Sequence, residues 1–192
     1  MTDPELPAEP SIDPRLKELH ERAEAGDVEA QLALAYTYCG GVAIGTRELE
    51  GREFADPERA AHWFRRAAEG GHAEAQRSLG VMLTKGEGGP TDLDEGLRWL
   101  RAAAEQGDPE AMRRIGLAYI RGRGVPEDYA QAAEWCRRAA EGGDAHGAFN
   151  LALLHHHGLV AGPDPAQALE WWRRAEALGH PDAARWIEGA SG

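Results

Sequence analysis

The chain has 192 residues, with 21 basic and 33 acidic side chains and a net charge of −12. So acidic a surface argues against non-specific binding to nucleic acid or to an anionic membrane, because both need a basic face. No apolar stretch approaches the ~20 residues that a membrane helix needs. Two cysteines, Cys39 and Cys136, are too few for a disulfide framework at this length, which favours a reducing, cytoplasmic location.

The first residues of the chain are acidic and rich in proline. Residues 1–13 have neither the basic start nor the apolar core of a signal peptide. Their composition is typical of segments that bury little apolar surface. We therefore expect residues 1–13 to be a disordered tail.

A period of 36 residues runs through most of the remaining sequence. Several residue types keep this interval four times over, which chance does not produce, so internal repeats are the first feature to explain. The recurring columns are Trp63, Trp99, Trp135 and Trp171; Asp56, Asp92, Asp128 and Asp164; Gly71, Gly107, Gly143 and Gly179; and Ala67, Ala103, Ala139 and Ala175.

Each column fits a place in a pair of helices. The aspartates precede Ala- and Arg-rich runs, where a carboxylate can accept the free N–H groups of a first helical turn. The glycines follow these runs and can take the left-handed conformation that ends a helix. Apolar residues recur at helical spacing, as at Ala111, Ile115 and Tyr119. Each unit is therefore predicted to be two antiparallel helices joined by short turns.

Alanine is the commonest residue, and tryptophan makes up an unusually large share of the aromatic residues. There are 35 alanines, and six of the 13 aromatic residues are tryptophan. Small side chains let helices approach closely, whereas an indole ring fills a large volume. We expect the recurring tryptophans to be buried and to fill the space between repeats.

One stretch spells out the pattern of a known family. It runs from Ala111 through Ile115-Gly116, Tyr119, Gly122-x-Gly124 and Asp128, and then through Ala132, Trp135 and Ala139-Ala140 to Gly143. This pattern resembles the Sel1-like repeat, a relative of the tetratricopeptide repeat. The resemblance implies an all-α fold, a right-handed α-solenoid of antiparallel helix pairs with about ten helices.

The resemblance covers residues 28–189, and we expect residues 14–189 to form a single solenoid. Its expected parts are a half-repeat at 14–27, units at 28–72, 73–108, 109–144 and 145–180, and a capping helix at 181–189. The first unit also carries an insertion at 42–55. This insertion is either a tolerated surface loop, since closing longer loops costs little extra entropy, or a partner-contacting loop in which Leu49 and Phe54 are the apolar contacts.

The first helices carry a second stripe of residues beside their core stripe. By the resemblance to tetratricopeptide solenoids, first helices line a concave groove, so this stripe is expected to face a partner. It is basic and partly apolar, and arginine forks bind carboxylates, which indicates an acidic peptide or a C-terminal carboxylate. The predicted partner-binding residues are Arg77, Val81, Lys85, Arg113, Leu117, Arg121, Phe149, Leu153, His156 and Arg185.

Family members generally hold other proteins together, so the resemblance implies a non-catalytic scaffold or adaptor that binds a protein or peptide. We expect a monomer in a bacterial cytoplasm, without cofactor or metal. The alternative is a hydrolase or metal-dependent enzyme that uses His155, His156 and His157. Consecutive residues on a helix point in different directions, however, whereas helical metal ligands are spaced by three or four. A self-assembling structural solenoid is a third possibility.

Overall fold

The computed structural model describes residues 16–40 and 55–190, and these two ranges contain ten α-helices and no strand. The predicted tail at 1–13 lies outside the described residues, as does the insertion at 42–55 except for its last residue. The helices are α1 (Lys17–Glu24), α2 (Val28–Tyr38), α3 (Pro57–Glu69), α4 (Ala73–Lys85), α5 (Leu93–Glu105), α6 (Pro109–Arg121), α7 (Tyr129–Glu141), α8 (Ala145–His156), α9 (Pro165–Ala177) and α10 (Ala183–Ala190).

Each helix packs against the next one along the chain, and α6 also contacts α8. Helices α2 and α3 form the first pair, and the pairs α4–α5, α6–α7 and α8–α9 follow. Contacts between neighbouring elements dominate, as expected of a repeat protein whose stability comes from stacked interfaces. The prediction of an all-α helical repeat fold is confirmed.

The second helix of every pair begins at an aspartate of the predicted column. The carboxylates of Asp56, Asp92, Asp128 and Asp164 each accept a hydrogen bond from the backbone N–H three residues later, at distances of 2.8 to 3.0 Å. These bonds satisfy N–H groups that have no partner inside the helix. The predicted caps are confirmed.

The glycine column closes the same helices. Gly71 has a φ of +89° and Gly143 a φ of +96°, a conformation that side chains with a Cβ rarely adopt. Gly107 and Gly179 are alike in this respect. The predicted left-handed helix ends are confirmed.

The tryptophan column is only partly interior, and the expectation that all four are buried is wrong. Trp63 is 3 % exposed, whereas Trp99, Trp135 and Trp171 are half-buried. Trp135 lies near the surface, with the guanidinium carbon of Arg138 4.3 Å from its ring centroid. The interior position is the next residue along each helix, occupied by Phe64, Leu100, Cys136 and Trp172, none more than 2 % exposed.

Glycines allow helices α4 and α5 to cross with their backbones in contact. A Cβ on Gly80 would lie 2.8 Å from the carbonyl oxygen of Gly96 and 2.8 Å from Cγ of Leu100. Both distances are shorter than real Cβ contacts, so no larger residue fits here without a shift of the helices. None of the described helices has the length and apolar character needed to cross a membrane.

Candidate partner-binding site

The predicted partner-binding residues lie on the first helix of successive repeats. Helix α4 carries Arg77, Val81 and Lys85; α6 carries Arg113, Leu117 and Arg121; α8 carries Phe149, Leu153 and His156; and α10 carries Arg185. We call these ten residues the first-helix strip. Lys85, Arg121, His156 and Arg185 are exposed, and the other six are half-buried.

The two arginines at the start of the strip join consecutive repeats. Nε of Arg77 donates to Oδ2 of Asp108 at 3.0 Å, and Nε of Arg113 donates to Oδ2 of Asp144 at 3.0 Å. Both aspartates also cap the helix that begins at the next residue, through Oδ1. Each carboxylate therefore caps the start of a helix and also binds an arginine of the preceding repeat.

Glu110 adds a second carboxylate to this junction. It pairs with Arg77, Arg113 and Arg114. Burial by itself would raise the pKa of Glu110, but Arg114, Arg77 and Arg113 outweigh it and hold the pKa below its usual value. Burial would likewise lower the pKa of Arg77, yet Glu110 and Asp108 raise it. Arg77 and Arg113 are thus neutralised within the chain, and the carboxylates of a partner would have to displace these pairs.

Further along the strip, a basic cleft opens between the ends of α4 and α6. It has a volume of about 130 Å³, and four cations line it: Lys85, Arg114, Arg121 and Arg123. No carboxylate is among the described residues that line it. This absence is notable in a chain with a net charge of −12, because it leaves a local positive potential on an acidic surface.

The cations of the basic cleft are only partly neutralised by their neighbours. Lys85 lies 3.2 Å from Glu87, and Arg114 lies 2.8 Å from Glu110. Arg123 donates to the carbonyl oxygen of Thr84 at 3.1 Å. In the described part of the chain, Arg121 has no ion pair. Its guanidinium is exposed and therefore open to a carboxylate from outside.

The floor of the basic cleft is aliphatic. Leu93, Leu97 and Leu100 of α5 line it together with Leu117 of α6. Leu97 and Leu100 are buried, at 3 % and 2 % exposed, whereas Leu93 and Leu117 are half-buried. A cationic rim over an aliphatic floor suits a ligand that carries a negative charge beside an apolar group.

The C-terminal part of the strip is aromatic. The ring of Phe149 stacks on His180, and it also meets Trp186 edge to face at 6.1 Å. Leu153 packs against the cluster that contains Trp172, and Val81 packs against the one that contains Leu97 and Leu100. The strip is therefore basic at one end and aromatic at the other.

A second cleft, which we call the aromatic cleft, opens between α8, α9 and α10. It has a volume of about 390 Å³ and is lined by His156, Trp172, Arg185, Trp186, Gly189 and Ala190. The ring centroids of His156 and Trp172 lie 5.2 Å apart, and those of Trp172 and Trp186 lie 5.1 Å apart. The indole N–H of Trp172 is buried and has no hydrogen-bond partner within the described ranges.

Sequence reasoning missed the residues that complete both clefts. Three of the four leucines of the floor come from α5, a second helix, and Arg123 comes from the loop after α6. Trp172 was absent from the predicted strip because it lies on α9, a second helix. Trp186 lies on α10 but outside the single face of the first helices from which the strip was chosen. A comparison of all columns between repeats would have singled out Trp186, because a polar residue stands at the equivalent positions Ser78, Arg114 and Asn150.

The histidine cluster does not form a metal site among the residues that the structure describes. Within 16–40 and 55–190, no group of three or more His, Cys, Asp or Glu side chains could hold a metal ion. The ring of His156 instead lies 4.9 Å from that of His157 and close to Trp172 and Trp186. The alternative of a metal-dependent enzyme finds no support in this geometry.

Comparison with known families assigns the repeats. The family model of the Sel1 repeat matches residues 28–72, 73–108, 109–144 and 145–180, which are the units predicted from the sequence. None of the curated proteins compared with the chain gives a significant match.

Solved structures show the same architecture. A Sel1 repeat protein from Oxalobacter formigenes is 27 % identical, with a TM-score of 0.73 over 91 % of this chain and 74 % of that one. A protective antigen of uropathogenic Escherichia coli with an SLR fold is 29 % identical, with a TM-score of 0.66, and the match covers 90 % of this chain but only 43 % of the antigen. The cysteine-rich protein B of Helicobacter pylori shares the fold at 17 % identity and a TM-score of 0.51, over 72 % of this chain and 97 % of that one.

Proposed function

The chain belongs to the Sel1 repeat family, whose members are generally protein-interaction scaffolds, and on that premise we propose that it binds an acidic segment of a partner protein in the basic cleft. The observation that carries the proposal is the charge of this cleft. Lys85, Arg114, Arg121 and Arg123 line it without a carboxylate among the described lining residues.

The basic cleft replaces Arg77 and Arg113 as the centre of the proposed interaction. Those two arginines already bind Asp108 and Asp144, so recruiting them would leave both aspartates without their partners. Arg121 and Arg123 are exposed, and neither is held by an ion pair among the described residues, so both can turn towards a ligand, Arg123 by giving up its hydrogen bond to Thr84. Arginine binds a carboxylate through two parallel hydrogen bonds, which adds geometric selectivity to the attraction between charges.

The aliphatic floor defines the second requirement on the partner. Leu97, Leu100 and Leu117 present apolar surface beneath the cations, and apolar contact stabilises a complex in proportion to the area removed from water. A segment with an acidic residue next to a leucine-like residue meets both requirements. A purely acidic, strongly hydrated segment meets only the first.

The test uses two labelled peptides of equal length, one alternating glutamate with leucine and the other alternating lysine with leucine. Fluorescence anisotropy against the full chain should show binding of the glutamate peptide alone, weaker at higher salt because exposed charges are screened. The double variant Arg121→Glu/Arg123→Glu should weaken binding by about tenfold or more, a loss typical of charge pairs that become repulsive.

The matched control reverses two exposed arginines on α9, Arg173→Glu/Arg174→Glu, which lie outside the basic cleft. It makes the same change in net charge and should leave the affinity within about twofold of the wild type, because surface charges beyond a Debye length are screened. If both double variants lost the same affinity for the glutamate peptide, binding would depend only on the net charge of the protein, and the proposal would be overturned. Equal binding of both peptides would overturn it as well.

A further inference from the structure

The basic and aromatic clefts are the same structural site, two repeats apart. Five of the six residues that line the aromatic cleft stand 72 positions after residues that line the basic cleft. The five equivalent pairs are Thr84 and His156, Leu100 and Trp172, Arg114 and Trp186, Leu117 and Gly189, and Ala118 and Ala190. The cleft therefore belongs to the repeat architecture and occurs at a defined junction between repeats.

One column of residues alternates between large and small side chains along the repeats. Its members are Met82, Ala118, Leu154 and Ala190. Met82 and Leu154 are buried, at 5 % and 2 % exposed, so their long side chains lie within the packed junction. Ala118 and Ala190 stop at Cβ, and both line a cleft. Large and small residues thus alternate in this column, and the basic and aromatic clefts lie at its two small members.

The two open junctions differ in chemistry. The basic cleft presents four cations over leucines, whereas the aromatic cleft presents Trp172, Trp186 and His156 with Arg185 beside them. Aromatic rings bind other rings favourably in stacked or edge-to-face arrangements. Arg185 can stack on such a ring or pair with a neighbouring carboxylate. An acidic residue suits the first cleft, and an aromatic residue in an acidic context suits the second.

We propose that the chain reads its partner at both clefts at once, through one extended acidic segment that places an acidic side chain in the basic cleft and an aromatic side chain in the aromatic cleft. This proposal rests on the function proposed above. First helices of adjacent repeats stand roughly 10 Å apart at ordinary helix-packing distances, so two repeats span roughly 20 Å. An extended chain advances about 3.3 Å per residue, which sets the two contact residues about six positions apart.

Two variants fill the clefts with a side chain that the chain itself buries in the same column. Ala118→Leu and Ala190→Leu each copy Leu154 of the same column. A third variant, Trp186→Asn, copies Asn150 and removes an aromatic wall while keeping a residue that the repeat already accommodates. Arg121→Glu weakens the basic cleft from its exposed rim and is independent of whether Ala118→Leu folds.

The experiment titrates labelled peptides into the full chain. Each peptide holds one Glu-Leu-Glu cluster and one phenylalanine, joined by a glycine and serine spacer of about two, about six or about ten residues. Each is made in both chain directions, and a control set has serine in place of phenylalanine. In one direction, the spacer of about six should bind at least about tenfold more tightly than its serine control, because the second contact is intramolecular once the first has formed. The other spacers should gain about twofold or less.

The outcomes separate this proposal from the function on which it rests. Ala190→Leu and Trp186→Asn should remove the gain from phenylalanine while the serine control still binds, whereas Arg121→Glu and Ala118→Leu should weaken both peptides. A gain that does not depend on the spacer, or one that survives Ala190→Leu and Trp186→Asn, would overturn the two-cleft proposal alone. Failure of every glutamate peptide to respond to Arg121→Glu would overturn the basic cleft as the binding site.

Discussion

The rings of Phe149 and His180 lie face to face, with centroids 4.0 Å apart and planes inclined by only 4°. Equivalent positions one repeat earlier hold Arg113 and Asp144, joined by an ion pair. The joint between repeats is therefore ionic in the middle of the described solenoid and aromatic at its C-terminal end. A stack of two rings preserves the contact between neighbouring helices without the charges, next to the aromatic cleft.

Loss of Asp144 should be more damaging than loss of an ordinary helix cap. Asp144→Ala removes both the cap of α8 and the pair with Arg113, and we expect a fall of about 2 kcal/mol in the free energy of unfolding. Asp144→Asn keeps a capping side chain and should lose about half as much. Asp128→Ala, which removes a cap only, is the matched control at about 1 kcal/mol. Urea unfolding measures all three, and equal losses in Asp144→Ala and Asp128→Ala would exclude a contribution from the ion pair.

The stacked pair of Phe149 and His180 should make the stability of the fold depend on pH. Burial and the neighbouring His146 lower the pKa of His180, and Asp182 and Asp144 only partly oppose them. The unfolded imidazole, with its ordinary value of 6.5, therefore takes up a proton more readily than the folded one. The contribution of His180 is complete above pH 6.5 and is lost as the pH falls below that value.

Thermal unfolding of the wild type and of His180→Gln between pH 8 and pH 5 measures this effect. The wild type should lose more stability on acidification than the variant, since glutamine does not titrate. The difference between the two curves therefore reports the protonation of His180 together with its interaction with His146. Parallel curves would show that His180 does not couple folding to protonation.

The two cysteines should differ sharply in reactivity. Cys136 is fully buried, and burial raises the pKa of its thiol to about 12. Cys39 is exposed, although partial burial and Glu87 raise its pKa as well. A disulfide reagent near neutral pH should modify Cys39 first, because reaction needs both access and thiolate. In Cys39→Ser, the remaining thiol should react only as fast as the fold opens around it, and rapid labelling of that variant would contradict the buried position of Cys136.

The crossing of α4 and α5 should tolerate no larger residue. Alanine at position 80 raises helix propensity, but its Cβ would clash with the backbone of Gly96. We expect Gly80→Ala to destabilise the fold by about 1–3 kcal/mol, as overpacking does. Gly189→Ala on α10, where a Cβ meets nothing within 4 Å, is the control and should be neutral or stabilising by up to about 1 kcal/mol. A stable Gly80→Ala protein would show that the two helices can separate.

The repeat columns allowed the helices and their ends to be predicted, because caps and left-handed glycines act locally. Burial was harder to predict. A period of 36 residues marks which positions recur, but adjacent residues of a helix differ by about 100° in direction, and the period does not say which of the two faces the interior. Trp135 was therefore predicted to be buried, whereas the buried residue at this place in the helix is Cys136.

The candidate site is formed by contacts between repeats, and the 36-residue period does not predict which residues make those contacts. The strip was found because its residues share one face of a helix, but its arginines were assigned to a partner although they bind the next repeat. A constant separation could have shown this, since Arg77 and Arg113 each stand 31 residues before their aspartates, Asp108 and Asp144. Of the leucine floor, only Leu117 lies on the predicted strip; Leu93, Leu97 and Leu100 come from α5, so no pattern within a single helix reveals them.

The alternation of Met82, Ala118, Leu154 and Ala190 gives this solenoid a second period. Its backbone repeats every 36 residues, whereas the basic and aromatic clefts stand 72 residues apart. Each cleft is formed by residues of its own junction, so inserting one repeat between the two clefts would keep both clefts and the stacking of helices but lengthen the distance between them by roughly 10 Å. A repeat added before the basic cleft would leave that distance unchanged. Such a scaffold can therefore be lengthened without losing its recognition sites, provided that the pair of repeats between the clefts is kept intact.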